Sequence, residues 1–284
     1  MAPGRALLHW LLLRGLRPQR LAHAPQLAPA EHGVRLSAWQ VQGARGQRLA
    51  AWLALPPGAS AAQPVGVVVA LHGWSANAST LWPLVAPLTQ AGMAVLLFDA
   101  ANHGLSSQED FSSLPRFADD LAAVLRALPG QRGIHPGRVA LLGHSVGAAA
   151  VLLHAARQGG VQAVVSLSAF AHPQVVMERW LRAHHLPRRW VGSAILGHVQ
   201  QVIGERFDQI APEHQLPAIT CPVLLVHGAQ DQTVPLADAL RLQARLRHGD
   251  LLVVDGDHDL RAALQPHAGR IVQFLGSALA PAAA

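Results

Sequence analysis

The sequence predicts an α/β fold: a mostly parallel sheet of about eight strands, helices on both faces, and a small helical cap. Three observations carry this prediction. Short continuous apolar runs recur along the chain, as strands covered on both faces require. Helical patterns separate them, the alternation that builds a parallel sheet. The rhythm breaks once, between Ala169 and Pro217, where helical stretches stand in place of any strand-like run.

Taken in order, residues 1–33 read as an Arg-rich leader and linker. Residues 6–13, ALLHWLLL, lie between Arg5 and Arg14 and fall far short of the roughly 20 residues a membrane span needs. Arg14, Arg17 and Arg20 separate that run from Ala22-His23-Ala24, a stretch that export signals normally leave uncharged. The plain reading is a leader or helix lying on the domain; the alternative is a basic amphipathic helix in weak contact with a membrane surface. Residues 24–33 read as the linker.

Residues 34–284 form the expected domain. Val34–Val41 and Arg48–Leu55 pair as a hairpin through Gln42-Gly43-Ala44-Arg45-Gly46, and Pro56-Pro57-Gly58 ends the second strand. Further strands are expected at Val65–Leu71, Ala94–Phe98, Arg138–Leu142, Ala163–Leu167, Val223–Val226 and Leu251–Val254. Helices are expected at Leu81–Ala91, Arg116–Leu128, Val146–Gln158, Leu236–Arg247 and Arg261–Leu275. The cap spans about residues 170–216, with helical stretches at Gln174–His184 and Val191–Ile203.

Composition removes competing chemistries. With 51% apolar and 13% charged residues, the chain can build a core and is not disordered. All 22 basic residues are Arg. Without Lys there is no P-loop, no kinase ion pair and no Schiff base. One cysteine, Cys221, leaves no intramolecular disulfide, Cys-rich zinc site or iron–sulfur cluster. It reads as an inert thiol before a strand. Residues 1–48 carry seven Arg against Glu31, whereas the rest balances fifteen Arg against fifteen acids. A neutral body argues against a nucleic-acid partner. His184, His185, His198 and His214 crowd the cap without metal-ligand spacing, so no metal and no cofactor are expected. The cap's five Arg and four acids read as a solvated surface.

What remains is the serine chemistry. Ligands of open α/β sheets bind beyond the C-terminal ends of the strands. There, Gly143-His144-Ser145-Val146-Gly147 sits between a strand and a helix, as a nucleophile elbow does. Serine needs a base, and the base needs an orienting acid. Asp231 follows the strand at Val223–Val226, and His258 follows the strand at Leu251–Val254, in the chain order Ser, Asp, His that this architecture uses. Asp255, Asp257 and Asp259 lie too close to His258 in sequence to reach its ring easily. The backbone N–H groups of Trp74, after Gly73, and of Val146 are the expected oxyanion donors.

These residues resemble the α/β-hydrolase superfamily, from about Val34 to Leu275. The blocks His72-Gly73-Trp74, Asp99–Ser106, Gly143–Gly147, His227–Pro235 and Gly256–His258 are similar to those of bacterial serine aminopeptidase-like and prolyl-oligopeptidase-like esterases. One departure is Ala101, where Arg is common. Ser145 stands where a dehalogenase or epoxide hydrolase carries Asp and a dienelactone-type enzyme carries Cys. The expectation is a cofactor-free, cytoplasmic serine hydrolase, a carboxylesterase acting on a small or medium small-molecule ester through an acyl-enzyme. Peptidase, thioesterase and acyltransferase are the alternatives on the same triad, with the cap's pocket deciding between them. A non-catalytic binding protein of the same fold is the alternative of another class.

Overall fold

Side chains of a strand alternate between the two faces of its sheet, and here both faces are apolar. In Val65–Leu71, Val67, Val69 and Leu71 enter one core layer while Val68 and Ala70 enter the other. Ala94–Phe98 and the centre of Ile134–His144 divide in the same way. Such strands must be covered on both sides, so helices flank the sheet. The computed structural model describes residues 9–10, 12–23, 34–183, 185 and 192–281. The expected linker at 24–33, His184 and the start of the second cap helix at Val191 lie outside the described residues.

The eight strands are β1 (Arg35–Gln42), β2 (Arg48–Leu55), β3 (Val65–Leu71), β4 (Ala94–Phe98), β5 (Ile134–His144), β6 (Ala163–Leu167), β7 (Val223–Gly228) and β8 (Gly249–Val254). Their spatial order is β1-β2-β4-β3-β5-β6-β7-β8. Strand β2 runs antiparallel to β1 and β4, and every other pairing is parallel. Strand β5 starts before the expected Arg138, because a register shift against β3 admits Pro136-Gly137 without ending the pairing. The turns after β3, β5, β7 and β8 open at the C-terminal edge of the parallel strands.

The helices include α1 (Val85–Gln90), α2 (Leu114–Ala127) and α3 (Val146–Gln158). The expected Leu81–Ala91 helix is split. Its first part is a tight 3-10 turn, Ala78–Leu84, containing Pro83, which has no N–H to donate within a helix. Between β6 and β7 the described residues form α4 (Pro173–Ala183), α5 (Ser193–Ile203), α6 (Phe207–Ile210) and α7 (Pro212–Gln215). Helix α8 (Leu236–Gln243) stops short of the expected Arg247 as the chain turns toward β8. Helix α9 (Arg261–Leu279) runs past the expected Leu275, because Leu264, Ile271, Leu275 and Leu279 make one buried stripe.

The described residues of the leader lie on this body. Residues 12–15 are helical, and Leu12 packs against the core. Leu16 accepts from the amide of Ser112 at 2.9 Å, and Arg17 donates to the Asp110 carbonyl at 2.7 Å. No helix among the described residues is long and apolar enough to cross a membrane.

Candidate active site

The turn from β5 into α3 is built by two glycines that cannot be anything else. A Cβ on Gly143 would overlap the Gly147 carbonyl, and one on Gly147 would overlap the carbonyls of His72 and Leu71. Between them Ser145 is held at φ 55°, ψ −117°, a region costing a non-glycine residue about 1–3 kcal/mol. The surroundings enforce it: the Ser145 amide donates to Leu167 at 2.8 Å, and its carbonyl accepts from Ala149 at 3.0 Å. The elbow lifts the hydroxyl off the sheet toward the turn after β8.

There the structure brings the three expected side chains together. His258 Nε2 lies 3.0 Å from Ser145 Oγ, and His258 Nδ1 lies 2.7 Å from Asp231 Oδ2. The other carboxylate oxygen of Asp231 accepts from the amides of Thr233 (2.9 Å) and Val234 (2.7 Å). Burial pushes Asp231 upward, but the hydrogen bonds from His258 and Val234, with the two nearby histidines, outweigh it and hold the carboxyl below its usual range. It is therefore an anion at neutral pH. A carboxylate on Nδ1 holds the ring with its proton on that nitrogen and leaves the Nε2 lone pair facing Ser145. The neighbouring acids are engaged elsewhere: Asp255 with Gln230 Nε2 at 2.5 Å, and Asp257 with the Asp259 amide at 3.0 Å.

The turn after β3 comes in from the side. A Cβ on Gly73 would stand 3.0 Å from His144 Nδ1 and 3.2 Å from Ser145 Cβ, so the absence of a side chain sets how closely this backbone approaches the serine. Trp74 follows, its indole stacked on Phe117 at 15° and 6.5 Å between centroids. Val146 is the first residue of α3, where amides have no acceptor within the helix. The two expected oxyanion amides thus belong to the turn that approaches Ser145 and to the helix that follows it.

Sequence reasoning missed the histidines that hold these turns. His144, the variable residue of the elbow, reaches the backbone carbonyl of His258 with Nε2 at 2.7 Å, tying the turn of Ser145 to the turn of His258. Burial pushes it down to about 4, so at neutral pH it is the uncharged ring, and its N–H donates to that carbonyl. His227 reaches the Val234 carbonyl at 2.7 Å and closes the loop that carries Asp231. His72 takes the Ala100 amide on Nε2 at 3.0 Å and donates from Nδ1 to Gly73 O at 2.7 Å. Its position directly before Gly73 was the available signal, although the pattern alone does not distinguish an anchoring histidine from a reacting one.

His214, one of the crowded cap histidines, does meet His172 and Asp208, their ligand atoms lying within 4.8 Å of one another. However, His172 Nδ1 accepts from the Gln174 amide at 3.2 Å. Its Nε2 lies 3.0 Å from Asp208 Oδ1, so both ring nitrogens already have hydrogen-bond partners within the protein.

A cavity of about 840 Å³ opens beside His258, between the segment after Trp74 and the start of α9. Leu81, Leu84, Leu167 and Leu264 make its walls largely apolar. None of its described lining residues lies between 170 and 216. The cap was expected to shape the pocket; this cavity lies instead on the side of α1 and α9.

A family model described as serine aminopeptidase, S33, matches residues 62–210, a segment that contains Ser145 and stops before Asp231 and His258. The Escherichia coli (strain K12) protein YfhR is 24% identical over 246 residues, covering 83% of this chain and 79% of that protein. Among solved structures, an esterase of Pyrococcus furiosus superposes with a TM-score of 0.71 at 19% identity, covering 93% of this chain and 98% of the other. The esterase domain of a Rhodothermus marinus protein gives 0.60 at 28% identity, covering 86% and 97%. With the eight-stranded sheet, the elbow and a family match over more than half its length, the chain belongs to the S33 serine aminopeptidase-like family of α/β hydrolases.

Proposed function

We propose that this hydrolase cleaves carboxylic esters of small or medium substrates by way of an acyl-enzyme on Ser145. The observation that carries the reading is the unbroken chain from Ser145 Oγ through His258 to Asp231, at 3.0 and 2.7 Å. In the first step Ser145 Oγ attacks the ester carbonyl carbon while His258 Nε2 takes its proton. The negative oxygen of the tetrahedral intermediate is received by the amides of Trp74 and Val146, each worth about 3–4 kcal/mol in the transition state. The intermediate collapses, the carbon–oxygen bond to the alcohol breaks, and His258 returns the proton to the leaving oxygen. Water then repeats the sequence on the acyl-enzyme, releasing the acid and restoring Ser145. Asp231 stays ionised throughout and stabilises the imidazolium.

The apolar cavity beside His258 supports an ester over a charged substrate. A peptidase reading is favoured by the family description and by Asp257 and Asp259, which line the same cavity and suit a substrate ammonium. A fluorophosphonate probe tests the nucleophile. It is expected to label the wild-type protein and not Ser145→Ala; folded wild type that takes no label overturns the enzymatic reading in favour of a binding protein. Para-nitrophenyl esters run beside aminoacyl amides separate esterase from peptidase.

A further inference from the structure

The leader ends beside the active site and not on an idle surface. After Arg17, the Gln19 amide donates to Ser75 Oγ at 3.0 Å, one residue past Trp74. Arg20 donates to the carbonyls of Gly104 and Ser106, the second at 2.6 Å. Asn77 Nδ2 donates to the carbonyls of Leu21 and Ala22, both at 3.1 Å. His23 Nε2 lies 2.8 Å from Asp99 Oδ2, and Asp99 is fully buried, with the amides of Ala78 and Leu105 as its further donors. Burial raises Asp99, yet the His23 bond, the nearby His72 and those amides bring it below its ordinary value, as expected of a carboxylate that the leader helps to hold ionised.

These anchors place one side chain. Leu21 lines the cavity beside His258 and is 42% exposed. Its backbone is held by Asn77, which also caps the 3-10 turn carrying Leu81 and Leu84, so the leader wall and the opposite wall share an anchor. An exposed leucine alone on a surface means little. One anchored on a strap and lining an apolar cavity beside His258 forms part of that cavity's wall.

We propose that Leu16–His23 is a strap completing the substrate pocket, and that Leu21 is a specificity-determining wall for the uncharged hydrocarbon portion of an ester. The aliphatic walls favour a chain without charge, and Asp257 and Asp259 in the lining disfavour an anionic one. This inference rests on the esterase reading above.

The test measures kcat/KM on the full chain with two ester series, one lengthening the acyl chain and the other the alcohol chain. Leu21→Trp is expected to lower the long-to-short ratio about tenfold in one of the series, and Leu21→Ala to move the optimum toward longer chains. Arg20→Ala combined with His23→Ala, which frees the strap, is expected to shift the profile as Leu21→Ala does. Leu240→Ala, an exposed leucine of α8 outside the cavity, keeps the wild-type profile. Labelled, active protein whose profile ignores both Leu21 variants and the double variant overturns the strap alone. Wild type that takes no fluorophosphonate and hydrolyses no ester overturns the esterase reading and the strap with it.

Discussion

The turns at the C-terminal edge of the sheet and the segments laid around them are held by different means. At the edge, backbone meets backbone. Gly143 against Gly147, Gly147 against His72 and Gly228 against Gly256 leave no space for a single methyl group. The segments around them, the leader and the helices between β6 and β7, are fastened mainly through side chains, although the leader also has the Ser112 amide on its Leu16 carbonyl. Arg20 on two carbonyls, His23 on Asp99 and the exposed pair Arg157–Glu205 are of this kind. Ser145 and His258 are thus carried on turns packed backbone against backbone, and Leu21 on a segment held mostly by side-chain bonds.

The largest expected effect tests whether the edge carries the reaction. Asp231→Asn preserves shape but favours the wrong imidazole tautomer, and should lower kcat by about four orders of magnitude with little change in melting temperature. Ester hydrolysis within tenfold of wild type would transfer the orienting role to another acid and undo the comparison.

Next comes backbone space. Gly147→Ala must displace the carbonyls of Leu71 and His72, and is expected to destabilise by about 3 kcal/mol or more, read as a urea midpoint. The matching change in α5, Gly197→Ala, meets nothing within 4 Å and should stabilise by about 0.5–1 kcal/mol. It is the smallest effect in the set. Equal responses from the two glycines would erase the distinction between the regions.

Acid offers an intermediate test. His154 of α3 is buried, and that burial, with Arg126 nearby, pushes it down to about 4 from an ordinary 6.5. The unfolded chain therefore binds the proton first. Stability is fully present above about pH 6.5 and is lost as pH falls toward 4. His154→Leu should lose about 2 kcal/mol less than wild type between pH 7 and pH 5. His72, His103 and His144 are depressed by burial in the same direction. Asp120 opposes them: burial raises it to about 6 against the pull of Arg45, so its protonation favours the folded state.

The legible parts of the site were those written locally. Ser145 is flanked by glycines between a strand and a helix, and Asp231 and His258 each follow an apolar run, so period and spacing locate them without any long-range information. The lengths of β5 and α9 were misjudged where a register shift and a distant packing partner extended them. His144, His72 and His227 were invisible as anchors because their partners lie in other turns or in backbone atoms that no pattern encodes. Leu21 was hidden for the same reason, since a short apolar residue among arginines has no periodicity to mark it.

By itself, the sequence determined the α/β class, the order of the elements and the three candidate side chains Ser145, Asp231 and His258. Apolar periodicity and glycine placement are properties of neighbouring residues, which a single chain records. Only the tertiary structure decided how closely those side chains meet, which histidines lock the turns, where the cavity opens and what the Arg-rich leader touches. Those depend on contacts between segments tens to hundreds of residues apart, and such contacts exist only once the sheet has brought the turns to one edge.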